Sequence, residues 1–250
     1  MSVNSEAPTS KMQQEWDHRS RENAFHYIAS GKYEWREDEF LLSGERDVRE
    51  FVDPYLSEAQ FAPQNKRMVE IGCGVGRMSF ALAKRFETVD AIDISSEMIK
   101  RAKELQARLG IDNVRFHAGD GSDLGPIPDA SIDFGFSYIV FQHIPEVSVI
   151  LNYVLELGRV LKPGGLFRFQ LNGYHRWVLP GGYCLMWGSS PLRWAKSLHR
   201  PHVRFGKLNS WRGTPVGLSE LQGGCAAAGL TITKIEGMST KRMWVNGRKG

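Results

Sequence analysis

Cysteine is scarce in this chain. Cys73, Cys184 and Cys225 lie far apart and form neither a paired framework nor a zinc-type cluster. That excludes a disulfide scaffold and a structural metal module, and a reducing cytoplasm is the simplest setting. Long apolar runs are also missing. No stretch reaches the roughly 18 residues that a membrane-spanning helix needs. The first twenty residues are polar and mixed in charge, without the apolar core of a secretory signal. Charge of one sign is not in large excess: the formal net charge is +4, too mild to imply a nucleic-acid partner by itself. No repeat occurs at a period that would build a solenoid. What is present is 250 residues with 42% hydrophobic content, enough for one large α/β domain with additions.

The fold class follows from alternation. Met68, Val69 and Ile71 mark a buried strand starting at Arg67, and a glycine cluster follows at once. Ser79 to Arg85 is the next helix, and Thr88 to Ile94 a second strand. Met98, Ile99, Ala102 and Leu105 have helical spacing, with Lys100, Arg101, Lys103 and Glu104 facing away. Ser95 or Ser96 caps that helix and Gly110 ends it. Val114 to His117 and Ile132 to Val140 are the third and fourth strands. Pro145 suits a first helical turn, and Ile150, Leu151, Val154, Leu157 and Leu161 continue one face. Lys162-Pro163-Gly164-Gly165 is a turn before a fifth strand, Leu166 to Leu171.

Near the end, Ser219 and Gln222 fit a capping box. Leu218, Leu221, Cys225 and Ala228 line one face of the helix that Gly229 closes. Leu230 to Ile235 and Arg242 to Val245 are strands with no helix between them, so they pair as an antiparallel hairpin. The expectation is an α/β fold: a Rossmann-like parallel sheet with helices on both faces and a late antiparallel hairpin. N-terminal helices and an insertion after the fifth strand complete it.

Three segments organise the chain. Residues 1–10 are expected to be a disordered tail. Residues 11–62 form an N-terminal helical cover. Its first helix, Lys11 to about Ser30, has Trp16, Ala24, Phe25 and Ile28 as apolar contacts, and a short helix around Val48, Phe51 and Val52 is stopped by Pro54. Residues 63–250 are the main domain, with 172–213 as the insertion.

The chemistry starts at Glu70-Ile71-Gly72-Cys73-Gly74-Val75-Gly76, between a strand and a helix. Glycines there let the backbone turn sharply and let a ligand approach the main chain. The helix beginning near Gly76 offers free N–H groups that hold a carboxylate as well as a phosphate. Asp93 ends the next strand about 20 residues downstream, where a carboxylate accepts ribose hydroxyl hydrogens. A lone glycine loop is a weak signal and also fits a bare strand–helix turn. The acid at the right strand end and the alternating elements strengthen it. A dinucleotide fingerprint would want glycine or alanine where Arg77 stands, because arginine is too large for close helix–strand packing. A single adenosine-bearing ligand remains.

These residues resemble the class I S-adenosylmethionine-dependent methyltransferases. The likeness covers about 67–171 strongly and 216–249 in outline. It is carried by Val69 through Gly76, then Asp90-Ala91-Ile92-Asp93-Ile94-Ser95 and Gly119-Asp120-Gly121. Phe136-Ser137-Tyr138 through Gln142-His143-Ile144-Pro145 and Leu161-Lys162-Pro163-Gly164-Gly165 complete the set. The chain is similar in particular to the branch that methylates small molecules, including quinone precursors. The resemblance implies roles. Gly72 and Gly74 pass under the methionine part of the cofactor, with Cys73 the small residue between them. Glu70 organises its ammonium, and Asp93 holds the ribose hydroxyls. Ile94 packs on the adenine, and Asp120 accepts the adenine amino hydrogens with Gly121 beside it. Tyr138 lines the pocket near the sulfonium. By residue type alone, Ile94 and Tyr138 are equally core residues, and Asp120-Gly121 is equally a plain turn. Many family members carry glutamate where this chain has Asp93, and the shorter acid still reaches vicinal hydroxyls.

The reaction so implied is methyl transfer to a small-molecule acceptor by in-line displacement, with no metal. An oxygen acceptor would need its proton removed. His143, after the fourth strand, is the candidate base, set against a role in bracing the loop. His26, Tyr27, His175 and Tyr183 are weaker candidates. The insertion holds Tyr174, Trp177, Tyr183, Trp187, Trp194, Phe205 and Trp211 among seven Lys or Arg side chains, and no Asp or Glu. That composition suits a cover for an aromatic or anionic acceptor, and equally an irregular cap with solvated arginines. An RNA acceptor stands below a small molecule, because no separate RNA-binding module is visible. A nicotinamide oxidoreductase is disfavoured by Arg77 and the late hairpin. A non-catalytic binding module is disfavoured by the intact loops.

Overall fold

The computed structural model describes residues 8–172, 177–178, 184–185, 214, 216–238, 240 and 242–250. Its centre is a seven-stranded sheet: β1 Arg67–Ile71, β2 Thr88–Asp93, β3 Val114–Ala118, β4 Ile132–Ser137, β5 Leu161–Leu171, β6 Leu230–Glu236 and β7 Met243–Lys249. In space the order is β3-β2-β1-β4-β5-β7-β6. The first five strands run parallel, and β7 lies antiparallel between β5 and β6. Strands β1 and β4 are buried almost end to end, as strands covered on both faces must be. The order reverses between β1 and β4, and a crevice outside the carboxyl ends of the strands at such a point is where α/β sheets bind ligands. A separate two-residue ribbon pairs Trp177–Val178 with Cys184–Leu185.

Alternation along each strand divides the core. Val69, Ile71, Ile132, Phe167, Phe169 and Val245 pack on one face. Met68, Val89, Phe134, Phe136, Leu166 and Trp244 pack on the other. The helices are α1 Pro8–Ile28, α2 Glu37–Phe51, α3 Asp53–Glu58, α4 Ser79–Leu82, α5 Ser96–Leu109, α6 Val147–Val160 and α7 Leu218–Ala227. On α5 the apolar spacing buries Met98, Ile99, Ala102 and Leu105 as expected. Ser95 Oγ accepts from the Met98 amide at 3.1 Å, and Gly110 closes the helix with φ +64°. Among the described residues no helix is long and apolar enough to cross a membrane.

Several boundaries differ from the sequence reading. Helix α1 begins at Pro8, inside the segment expected to be a tail, and residues 1–7 lie outside the described residues. It is broken at Asn23 (φ −163°, ψ 83°), whose Oδ1 accepts from the His26 amide and restarts the last turn. Pro54 not only ends α2 but sits in the first turn of α3, where its missing N–H costs nothing. Pro145 precedes α6 rather than opening it, the cap position being Glu146. The expected turn Lys162–Gly165 is part of β5: α6 passes into the strand at Leu161, and the extra residues are absorbed by a register shift against β4, with Gly164 at φ +76°. The cap of α7 is Gly217 with Glu220, not Ser219 with Gln222. Glu220 Oε2 accepts from the Gly217 amide at 3.0 Å, which satisfies one free donor of that helix end.

Two contacts place the N-terminal helices. Asp17 on α1 accepts from Ser95 Oγ at 2.6 Å and from the Glu97 amide at 3.3 Å, so α1 caps the start of α5 beside the end of β2. Gly44 on α2 lies so close to the carbonyl of Arg77 that a Cβ would overlap it.

Candidate active site

An open-mouthed cavity of about 930 Å³, counting the space at its mouth, lies at the carboxyl ends of β1, β2 and β4. Glu70, Gly72, Cys73, Gly74, Asp93 and Ile94 form one part of its wall, and Tyr138 and His143 another. Met12, Trp16, Tyr27 and Ile28 of α1 form a further part of the wall. Its lining of apolar side chains with a few polar groups is that of a small-molecule or cofactor site.

The glycine loop is folded back on β2. The amides of Gly72 and Cys73 both donate to the Ile92 carbonyl, at 2.7 and 3.0 Å, and the amide of Gly74 donates to Asp93 Oδ2 at 2.8 Å. Gly72 and Gly74 have φ of +76° and +56°. A Cβ on Gly72 would overlap Val140, and one on Gly74 would overlap Ile28. These glycines therefore admit neighbouring side chains of the same protein, as well as any ligand. Helix α4 spans only Ser79–Leu82, and the turn leading into it begins at Gly76, whose carbonyl accepts from the Phe80 amide at 3.1 Å.

Burial raises the two acids of this wall. Asp93 is pushed up to about 6, against the pull of the Ser95 and Gly74 amides it accepts. Glu70 is pushed up to about 7 by burial, although Ser79 Oγ donates to it at 2.5 Å and Arg77 lies near. Arg77 is accommodated by turning to α2: its Nη1 sits 2.6 Å from Asp47 and 3.2 Å from Ser43 Oγ. Gly44 lets α2 approach the Arg77 carbonyl closely.

Asp120 and Gly121 are not in the cavity wall. Partial burial of Asp120 is outweighed by the Ser122 amide and hydroxyl, both 2.8 Å from Oδ1, and its carboxyl is held below the usual range. That is a side-chain-locked turn. Gly121, at φ +84°, packs beneath Ile94 and Met12. Tyr138 is nearly buried, stacked on Trp244 at 5.4 Å, and burial pushes its phenol up to about 12. The His143 ring stands edge-on to Trp16 at 5.6 Å. Tyr27 reaches the wall, where its hydroxyl donates to Glu22 at 2.8 Å, while His26 Nδ1 lies 2.8 Å from the Lys32 carbonyl and is outside the wall. His175 and Tyr183, with nearly all of the insertion, lie outside the described residues.

Sequence reasoning missed Met12, Met98, Ile139 and Val140 as wall residues. Ile139 follows Tyr138 with φ +58°, a conformation a β-branched side chain resists at a cost of about 1–3 kcal/mol. Its amide is held by Oε1 of the buried Gln170 at 3.0 Å. No local signal marks that conformation.

Residues 69–169 match the family model described as a methyltransferase domain. The ajmaline N-methyltransferase of Rauvolfia serpentina is 30% identical over 173 residues, 66% of this chain and 56% of that protein. The ubiquinone biosynthesis O-methyltransferase of Xanthomonas axonopodis pv. citri (strain 306) is 31% identical over 119 residues, covering 47% and 48%. The chain spans about half the length of these curated relatives. In fold it is similar to the geranyl diphosphate C-methyltransferase of Streptomyces coelicolor A3(2), with a TM-score of 0.65 over 100% of both chains at 13% identity. Residues 69–169 therefore carry the likeness to methyltransferase domains, and over its length the chain shares the fold of a solved methyltransferase.

Proposed function

We propose that this chain binds S-adenosylmethionine in the cavity between the glycine loop and α1, and transfers its methyl group to a small-molecule acceptor. The observation that carries the reading is the pair Glu70 and Asp93. Glu70 is buried and Asp93 half-buried on the wall beside the glycine loop, and desolvation raises both. A buried carboxylate is costly until a cation or a set of donors meets it, so this wall fits a ligand that brings an ammonium and ribose hydroxyls. Glu70 organises the ammonium and Asp93 the ribose hydroxyls. Gly72, Cys73 and Gly74 carry the backbone under the methionine part. Ile94 packs against the adenine, Asp120 and Gly121 stand at its edge, and Tyr138 lines the sulfonium end.

When bound, this cofactor supplies a methyl group already made electrophilic by its sulfonium. The chain's own task is alignment and exclusion of water. Positioning alone can contribute about 7–11 kcal/mol. Trp16, Met12 and Ile28 wall the cavity against solvent. The relatives above carry nitrogen, oxygen and carbon methyltransferases in their names, so likeness does not choose the acceptor atom. The aromatic and cationic composition of residues 172–213 supports an aromatic or anionic acceptor, with that segment as its cover. The test is transfer of labelled methyl from the cofactor into a metabolite extract and, in parallel, into RNA. Label in small molecules alone supports the reading. Label in RNA alone replaces the acceptor class, and no label in either contradicts the proposal.

A further inference from the structure

Tyr153 is a buried phenol whose side chain lines the cavity from α6 and is only 5% exposed. Buried phenols usually hold their hydroxyl in a hydrogen bond. The Tyr153 hydroxyl bonds to none of the described residues. Yet it is not sealed off, as the unpartnered Ser20 Oγ and the Nε atoms of Arg77 and Arg168 are. The open space that its side chain meets is the cavity. Neighbouring contacts fix where the hydroxyl stands. The ring stacks on Phe141, in the segment after β4, at 5.7 Å. Asn152, the residue before it, donates to the Ser122 carbonyl at 2.7 Å, and Glu156, one turn on, accepts from the Leu124 amide at 3.0 Å. Helix α6 is thereby held against the turn that carries Asp120. Burial first, and then the charges of Asp93, Asp120 and Asp123, push the phenol's ionisation well above its ordinary value. The hydroxyl therefore stays protonated near those acids.

We propose that Tyr153 is a further cofactor-binding residue, its hydroxyl donating a hydrogen bond to a ring nitrogen of the cofactor's purine base. The inference rests on the S-adenosylmethionine reading of the cavity. Its chemistry is a matching of donors to acceptors. Ionised Asp93 and Asp120 can only accept, so they suit the ribose hydroxyls and the amino group of the base. The ring nitrogens of adenine carry lone pairs and need donors, which no carboxylate supplies. A protonated phenol supplies one. The charges felt by Tyr153 include both the acid assigned to the ribose and the acid assigned to the amino group, and the base is what joins those two groups. The bond would also offset the cost of burying a phenol without a partner. No hydrogen bond to a described residue has to break for it to form.

The experiment combines Tyr153→Phe with calorimetry of S-adenosylhomocysteine and of its 1-deaza, 3-deaza and 7-deaza adenine analogues, all on the full chain. The variant keeps the ring and its stack on Phe141 and removes only the oxygen. Without ligand, its Tm should equal or exceed that of the unmodified chain, because no protein partner is lost. S-adenosylhomocysteine should bind it about three- to tenfold more weakly, the worth of one ordinary hydrogen bond. On the unmodified chain one deaza analogue should show a similar loss, and on Tyr153→Phe that analogue should lose nothing further. A clear fall in Tm would give the hydroxyl a structural partner and overturn the proposal. Equal affinity in the variant would also overturn it, as would losses from variant and analogue that simply add. Each of those results, with S-adenosylhomocysteine still bound by the unmodified chain, leaves the methyltransferase reading standing. If the unmodified chain binds neither S-adenosylmethionine nor S-adenosylhomocysteine, that reading fails and the proposal fails with it.

Discussion

Gly74 donates its amide to Asp93 Oδ2 at 2.8 Å, so the acid that ends β2 is a structural part of the glycine loop as well as its candidate ribose acceptor. The other oxygen accepts from the Ser95 amide at 2.9 Å, next to the cap of α5. Each carboxylate oxygen has a second lone pair, which leaves capacity for a ligand.

Asp93→Ala should therefore do two things. It removes a ligand acceptor, and it leaves two amides without their partner, at a stability cost of about 1–3 kcal/mol. The expected outcome is a folded protein with a lower Tm and at least tenfold weaker S-adenosylmethionine binding. Thermal melts and calorimetry read the two effects separately. An unchanged Tm would show that the two amides had found other partners.

The raised acids predict a pH dependence. Glu70 moves from 4.5 to about 7 and Asp93 from 3.8 to about 6 in the folded chain. The folded state then keeps protons that the unfolded chain has released. The stability these groups lend is full below about pH 4 and is lost as pH rises through 6 and 7. A cationic ligand favours the ionised forms, so binding should release protons, and affinity should fall as pH drops through 7 and 6. Melting curves against pH with Glu70→Gln check the first part, since the variant should lose much of the decline. Calorimetry in buffers of different ionisation enthalpy checks the second.

Asp47 and Arg77 form an ion pair at 2.6 Å with Arg77 almost wholly buried. Asp47→Ala removes the carboxylate paired with the guanidinium and leaves it the nearby Glu70. The loss should be of order 2 kcal/mol, below the value for a fully buried pair because Asp47 is partly exposed. Denaturant titration measures it. Arg77→Met should recover part of the loss in the Asp47→Ala background.

Gly72→Ala should be more damaging than its size suggests. The added Cβ would meet Val140 and would sit at a φ that side chains avoid. Val140 belongs to the same loop as Ile139 and Tyr138, so the change reaches both walls of the cavity. Loss of cofactor binding together with a lower Tm is expected. Wild-type affinity in this variant would argue that the loop and the segment after β4 are not packed as described.

What was legible in the sequence was local. Strands β1 to β4, the buried face of α5, its Ser95 cap and its Gly110 stop are encoded in short periodic windows. So were the glycine loop and Asp93, which close on each other across one strand–helix–strand unit. The rest depends on contacts between distant residues. Asp17 ties α1 to α5 across 78 positions, and nothing near Asp17 announces it. The Gln170–Ile139 bond spans 31 positions and supports a backbone conformation that isoleucine does not favour by itself. Lys162 to Gly165 carries turn chemistry, yet pairing with β4 draws it into β5 with a register shift. Asp120 was named for its neighbours in the motif, and nothing in the sequence announced that its Oδ1 also accepts from Ser122.

The central claim is that S-adenosylmethionine occupies the cavity walled by Glu70, Gly72, Gly74 and Asp93. Isothermal calorimetry of the unmodified chain with S-adenosylmethionine, beside Glu70→Gln and Asp93→Ala, tests it most directly. One site per chain is predicted, with clearly weaker binding in both folded variants. No heat of binding in the unmodified chain, or equal affinity in all three, would contradict the account.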